Sequence, residues 1–137
     1  IVEGMPPEIN LLNEKNNGET LLKLINENLI LSSHDVSSGG LITTISEMTF
    51  SSGIGAKILK PKKLANFVNY LFGEDQARYV VEITSDNLSK AEKIMRESNI
   101  YYEIIGFTQK NYLEVEDEVK INVKDLFKIN NEWYNNY

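Results

Sequence analysis

The segment His34-Asp35-Val36-Ser37-Ser38-Gly39-Gly40-Leu41 decides how the rest of the chain is read. It follows the apolar run Leu29-Ile30-Leu31 and precedes Leu41, Ile42, Ile45 and Met48, which recur at helical spacing. A buried strand over 29–31, a polar turn and then a helix are expected in that order. Such a turn frees backbone N–H groups at the helix N-terminus, where an anion is favoured. Ser37 and Ser38 add hydroxyl donors. The adjacent glycines match neither the P-loop nor the dinucleotide fingerprint, so spacing alone favours a structural turn. His34 is the only histidine, and ordering the turn through a backbone hydrogen bond is its favoured role. Asp35 ends the expected buried strand, where a carboxylate must be paired, hydrogen-bonded or bound to metal.

A second segment of the same kind is Leu71-Phe72-Gly73-Glu74-Asp75-Gln76-Ala77-Arg78-Tyr79. Leu64, Phe67, Val68 and Leu71 form a helical stripe, and Gly73 reads as its left-handed cap. Two carboxylates beside an amide, Glu74-Asp75-Gln76, suit Mg²⁺, a ribose or an amide substrate. The alternative is a solvated acidic turn in which Arg78 neutralises a neighbour. The two segments reinforce each other only if the fold brings them together.

Outward from these turns, Gly4-Met5-Pro6-Pro7 reads as an extended linker. Asn17-Gly18 reads as a stop, followed by a helix over 19–28 that buries Leu21, Leu24 and Ile25. Gly53 and Gly55 end the second helix, and 56–59 is a strand. Tyr79, Val81 and Ile83 alternate as a strand. Ser85-Asp86-Asn87 starts a helix that buries Leu88, Ala91, Ile94 and Met95. A strand is expected over 101–108, then a hairpin turning at Glu116-Asp117-Glu118. Leu126, Ile129, Asn130 and Trp133 mark a closing helix. Lys60-Pro61-Lys62-Lys63 reads as a helix-entry turn with solvated side chains. This order specifies an α/β (α+β) sandwich with helices covering a mixed sheet.

With 137 residues the chain is read as one domain: 1–18 lead-in, 19–129 core, 130–137 frayed tail. A net charge of -6 argues against nucleic-acid binding, which needs a basic field. The absence of cysteine excludes disulfides, thiolate metal sites and a cysteine nucleophile. No apolar run approaches membrane-spanning length, and a cytoplasmic location is expected. The opening Ile1-Val2-Glu3 suggests a domain cut from a longer chain.

At these residues the chain resembles the phosphoribosylformylglycinamidine synthases of the small (subunit II) type, within the aminoimidazole ribonucleotide synthase-related superfamily. The likeness is carried by 34–41 continuing through Glu47-Met48, by 71–81, by Gly4-Met5-Pro6-Pro7-Glu8-Ile9-Asn10-Leu11 and by Ile104-Ile105-Gly106-Phe107. It implies a C-terminal domain from the second half of the protein, with a three-layer α/β/α sandwich of partly ferredoxin-like topology. It implies a ligase that uses ATP and Mg²⁺ to convert formylglycinamide ribonucleotide and glutamine-derived ammonia to formylglycinamidine ribonucleotide in purine synthesis. The substrate amide oxygen would be phosphorylated and ammonia would then attack. The implied partners are the N-terminal domains of the same chain, a glutaminase subunit and a small third subunit.

The resemblance also limits what this domain does. The family's catalytic histidine and main Mg²⁺ ligands lie in the first half, so no catalytic residue is expected here. The candidate ligand or cleft-lining residues are Asp35, Ser37, Gly39, Gly40, Glu74, Asp75 and Gln76, the last three by pseudo-symmetry with a substrate-contacting turn. Ser38 stands where relatives usually carry aspartate, which removes a possible Mg²⁺ ligand. One alternative is therefore a structural domain whose auxiliary nucleotide site has decayed. Another is a different superfamily member, such as a kinase or hydrogenase-maturation protein, against which the 71–81 signature argues. The chain alone is expected to be inactive and to bind ATP and Mg²⁺ weakly or not at all.

Overall fold

The computed structural model describes residues 8–63 and 66–135. Its elements in chain order are α1 (Leu11–Asn26), β1 (Ser32–Asp35), α2 (Gly40–Ser52), β2 (Ile54–Ile58), α3 (Phe67–Phe72) and β3 (Tyr79–Glu82). They continue with α4 (Ser85–Glu97), β4 (Gly106–Lys110), β5 (Tyr112–Val115), β6 (Val119–Asn122) and α5 (Val123–Asn135). Strands β1 and β3 pair antiparallel, and the other four are ordered β4-β2-β5-β6. The β2–β5 pair is parallel and its neighbours are antiparallel, which makes this a mixed sheet.

Two apolar clusters hold the elements together. The larger joins Val36, just after β1, to Leu41, Ile45, Ile58, Leu71, Leu113 and Val115 from α2, α3 and the four-stranded sheet. The smaller joins Leu24, Leu29, Ala91 and Met95, where α1 lies on α4. Both of those helices end in the same way. Asn28 and Asn99 each take φ 54, and the next N–H returns to the helix, Leu29 to Leu24 and Ile100 to Met95. This left-handed cap folds a buried Leu29 and a half-buried Ile100 back onto the cluster.

The helical pattern of α1 begins well before residue 19. Asn10 caps it, its Oδ1 accepting from Leu12 and Asn13 N–H at 3.1 and 3.0 Å. Gly18 costs a helix about 1 kcal/mol relative to alanine. A cap worth about 1 kcal/mol and the burial of Leu24, about 2 kcal/mol, outweigh that cost, so Asn17-Gly18 is no stop. At the other end, α5 continues through Asn135, so the tail expected to fray from 130 is helical as far as described. The expected linker at 4–7, the Leu64 position of the third stripe and residues 136–137 lie outside the described residues.

Three further expectations change. The first strand runs over 32–35 and not 29–31, and Leu31 is exposed. Gly73 has φ -64 and ψ 140, so it ends α3 in extended geometry and not as a left-handed cap. The strand expected over 101–108 begins only at Gly106; before it Tyr102 packs on the smaller cluster and accepts from Arg96 of α4, while the exposed Tyr101 donates to Glu103. Lys60 is also not simply solvated. Its Nζ lies 2.5 Å from Glu118 Oε1, tying the 60–63 turn to the β5–β6 hairpin.

A charged row crosses the sheet. Glu114 on β5 stands opposite Lys57 on β2 and Lys120 on β6, at 2.9 and 3.1 Å. Hydrogen bonds from Lys57 and then Lys120 lower the Glu114 carboxyl from its ordinary 4.5 to about 2. A carboxylate held below its unfolded value stabilises the fold above that value and loses the contribution as pH falls toward the folded one. Glu114→Gln should therefore be less stable than wild type at neutral pH, and the gap should close between pH 4.5 and about 2. Denaturant melts of both proteins across that range check this, and a gap independent of pH would contradict it.

Candidate functional site

Strand β1 ends at Asp35, and its register with β3 sets Asp35 opposite Tyr79. The Val36 N–H then donates to Arg78 O at 2.9 Å, the last link before both chains turn away. The two quoted segments thus leave the same end of one strand pair. They meet again at the start of α2, where Gly39 N–H donates to Glu74 Oε1 at 2.8 Å. The juxtaposition that spacing left open is therefore present.

Gly39 and Gly40 carry φ of 81 and 69, a region that side chains disfavour. Gly40 has a second reason to be glycine. A Cβ there would stand 2.7 Å from Leu71 O and Phe72 C and 2.8 Å from Gly73 O. The first turn of α2 rests directly on backbone 71–73. Thr44, buried, fastens it from below, its hydroxyl 3.2 Å from both Gly40 O and Asp35 O.

The individual side chains divide sharply. Asp35 is exposed, not buried as its place after an apolar run suggested. The strand starts later than expected, and period-two alternation then sends Asp35 and Ser33 outward. Its carboxylate lies 3.5 Å from His34 Nδ1, and that nitrogen is 2.7 Å from Asp35 O. His34 Nε2 also lies 3.3 Å from Glu47 Oε2 on α2. The histidine orders the turn, as expected, by linking β1 to α2. Ser37, Ser38 and Gln76 present exposed side chains on the same rim.

Asp75 is exposed and lies 3.6 Å from Arg78 Nη2. The same guanidinium donates to Gly73 O and, at 3.3 Å from Nε, to Asp75 O. Two participants carried no local signal. Asn17 Nδ2 donates to Ala77 O at 2.8 Å, reaching from α1 to the second turn. Ala77 itself has φ 62, a strained value for a residue with a Cβ.

The donors do not assemble a cation site from this chain alone. Among the described residues no three His, Asp or Glu groups are placed to hold a metal ion. Asp35 faces His34, Glu74 faces Gly39 and Asp75 faces Arg78. The residues present therefore do not fit an Mg²⁺ held by this chain unaided. Beside the second turn lies a cleft of about 560 Å³, walled by α1, β3 and residues 100–106. Tyr70 closes one side, its hydroxyl donating to Glu103 Oε1 at 3.0 Å. Burial first, then the Glu103 charge, push the Tyr70 phenol up from its ordinary value.

Residues 3–118 match the family described as AIR synthase related protein, C-terminal domain. Among curated relatives, phosphoribosylformylglycinamidine synthase subunit PurL of Pelagibacter ubique (strain HTCC1062) is 48% identical over 134 residues. The match covers 98% of this chain and 18% of the relative, so the chain spans less than a fifth of that protein. The structure of T. maritima PurL complexed with ATP overlays 82% of this chain and 21% of its own, with TM-score 0.69 and 18% identity. PurLQS from Thermotoga maritima overlays 83% and 21%, with TM-score 0.72 and 21% identity. At these identities the two structures speak for the fold.

Gly40→Ala tests the seat of α2. Its methyl would meet backbone and not a mobile side-chain end, and its φ is disfavoured as well. A loss of about 1–3 kcal/mol is expected, measured by thermal or denaturant unfolding. A neutral effect would mean that α2 shifts freely off residues 71–73.

Proposed function

The chain belongs to the AIR synthase related proteins, as their C-terminal domain, and on that premise we infer that it serves a phosphoribosylformylglycinamidine synthase of the PurL type. The full protein would form formylglycinamidine ribonucleotide from formylglycinamide ribonucleotide, glutamine-derived ammonia and ATP. In this reading the domain lines the interdomain cleft and holds its geometry, and catalysis belongs to parts of the protein beyond this chain.

The observation that carries the reading is the Gly39 N–H to Glu74 bond of 2.8 Å. It merges the two signature segments into one rim, with Ser37, Ser38, Asp75 and Gln76 exposed along it. The name borne by the Pelagibacter relative supports the same assignment. Leu11, Leu12 and Leu22 of α1 are 76, 65 and 58% exposed, which suits a surface covered by another part of a larger protein. ATP and Mg²⁺, the N-terminal domains, a glutaminase and a small third subunit belong to the proposal for the full protein.

A second reading, a structural domain with a decayed nucleotide site, has one observation in its favour. The anion position at the start of α2 is taken by the chain's own Glu74. The two readings separate in a graft. Residues 3–118 would replace the matching segment of the Pelagibacter protein, and the hybrid would be assayed for amidine formation. Activity within about tenfold of the parent is expected. A folded hybrid without activity would reject the inferred synthase role. If the graft is active, Asp75→Ala and Gln76→Ala in it should lower kcat/KM under the first reading and leave it unchanged under the second. The 137-residue chain by itself should form no amidine from glutamine or ammonia, and turnover above background would reject the reading.

A further inference from the structure

The turn at 73–78 lies between the two apolar clusters and is fastened to both sides. Glu74 holds it to α2 of the larger cluster through Gly39 N–H, 2.8 Å. Asn17 holds it to α1 of the smaller cluster through Ala77 O, 2.8 Å. Between those points it closes on itself, with Arg78 bonded to Gly73 O and Asp75 O. Residues 75–78 also line the 560 Å³ cleft. Ala77, at the middle of the span, holds a φ of 62 that an alanine adopts only under constraint.

A segment held by side chains at Glu74 and Asn17 and by Val36 N–H at its far end, strained between them and set in the wall of a cavity, has the construction of a strap. The side-chain tethers differ in kind. Asn17 is half-buried, while Glu74 is exposed and accepts a single backbone N–H. A hydrogen bond open to water contributes little net stability, so the Glu74 end is the weaker one. We propose that residues 73–78 are a strap across the cleft, latched by Glu74 on the start of α2 and released toward solvent when that bond opens. Release would relax Ala77 and widen access to the cleft, whatever ligand the cleft takes. The latch also competes with any anion that approaches Gly39 N–H, because one donor cannot serve both.

Native-state hydrogen exchange on the 137-residue chain tests this at single amides. Gly39 N–H reports the latch, and Val36 N–H, bonded to Arg78 O, reports the far end of the strap. Gly53 N–H, bonded to Thr49 O at the other end of α2, is the control. In Glu74→Ala, exchange at both Gly39 and Val36 should rise by about tenfold or more while Gly53 stays unchanged. Glu74→Gln keeps an oxygen acceptor and should give a smaller rise at the same two amides. It also serves if the alanine variant does not fold. A rise at Gly39 alone would overturn the proposal, since Glu74 would then be a helix cap that moves nothing. No rise at either amide, or an equal rise at Gly53, would overturn it as well.

Discussion

Helix α2 starts where it does because its first residue carries no side chain. Gly40 brings the helix backbone onto the backbone of residues 71–73 at distances no Cβ could share. Everything around the candidate site follows from that approach. It places Gly39 N–H within reach of Glu74, sets α3 against α2 and lets Leu41, Ile45 and Leu71 enter one cluster. Thr44 then ties the same turn to the end of β1. The polar bonds fix the orientation, and the close packing beneath them supplies most of the stability, because a net hydrogen bond is worth about 1 kcal/mol and a buried leucine about 2.

Much of the fold was legible because local and long-range preferences agree. The stripe of α2 and its Gly53 end, the Thr84-capped face of α4 and the hairpin at 116–118 are all found near their expected positions. The misreadings came where a residue's usual habit was overruled by partners far away in the chain. Gly18 reads as punctuation, but Asn10 and the buried Leu24 carry the helix through it. Gly73 suggests a left-handed cap because glycine often is one, whereas it is extended here, with Arg78 bonded to its carbonyl.

The site was legible in outline only. Composition identified two polar, glycine-linked turns, and the resemblance linked them. Neither could say that Asp35 points outward, since a strand that starts a few residues later than expected reverses which side chains face in. Asn17 and Ala77 were invisible for a different reason. The bond between them joins residues 60 positions apart, and neither belongs to a residue type or spacing that signals a site.

The pairing order of the larger sheet has a temporal side. Strand β2 lies between β4 and β5, and both of its neighbours come from the last third of the chain. The smaller cluster is no more self-sufficient, since α1 waits for Ala91 and Met95 of α4. During synthesis, therefore, the smaller core cannot close until Met95 has emerged, and the larger not until Leu113 and Val115 have. A chain stopped after β3 would hold both turns of the candidate site and the contacts that join them, but neither completed core beneath.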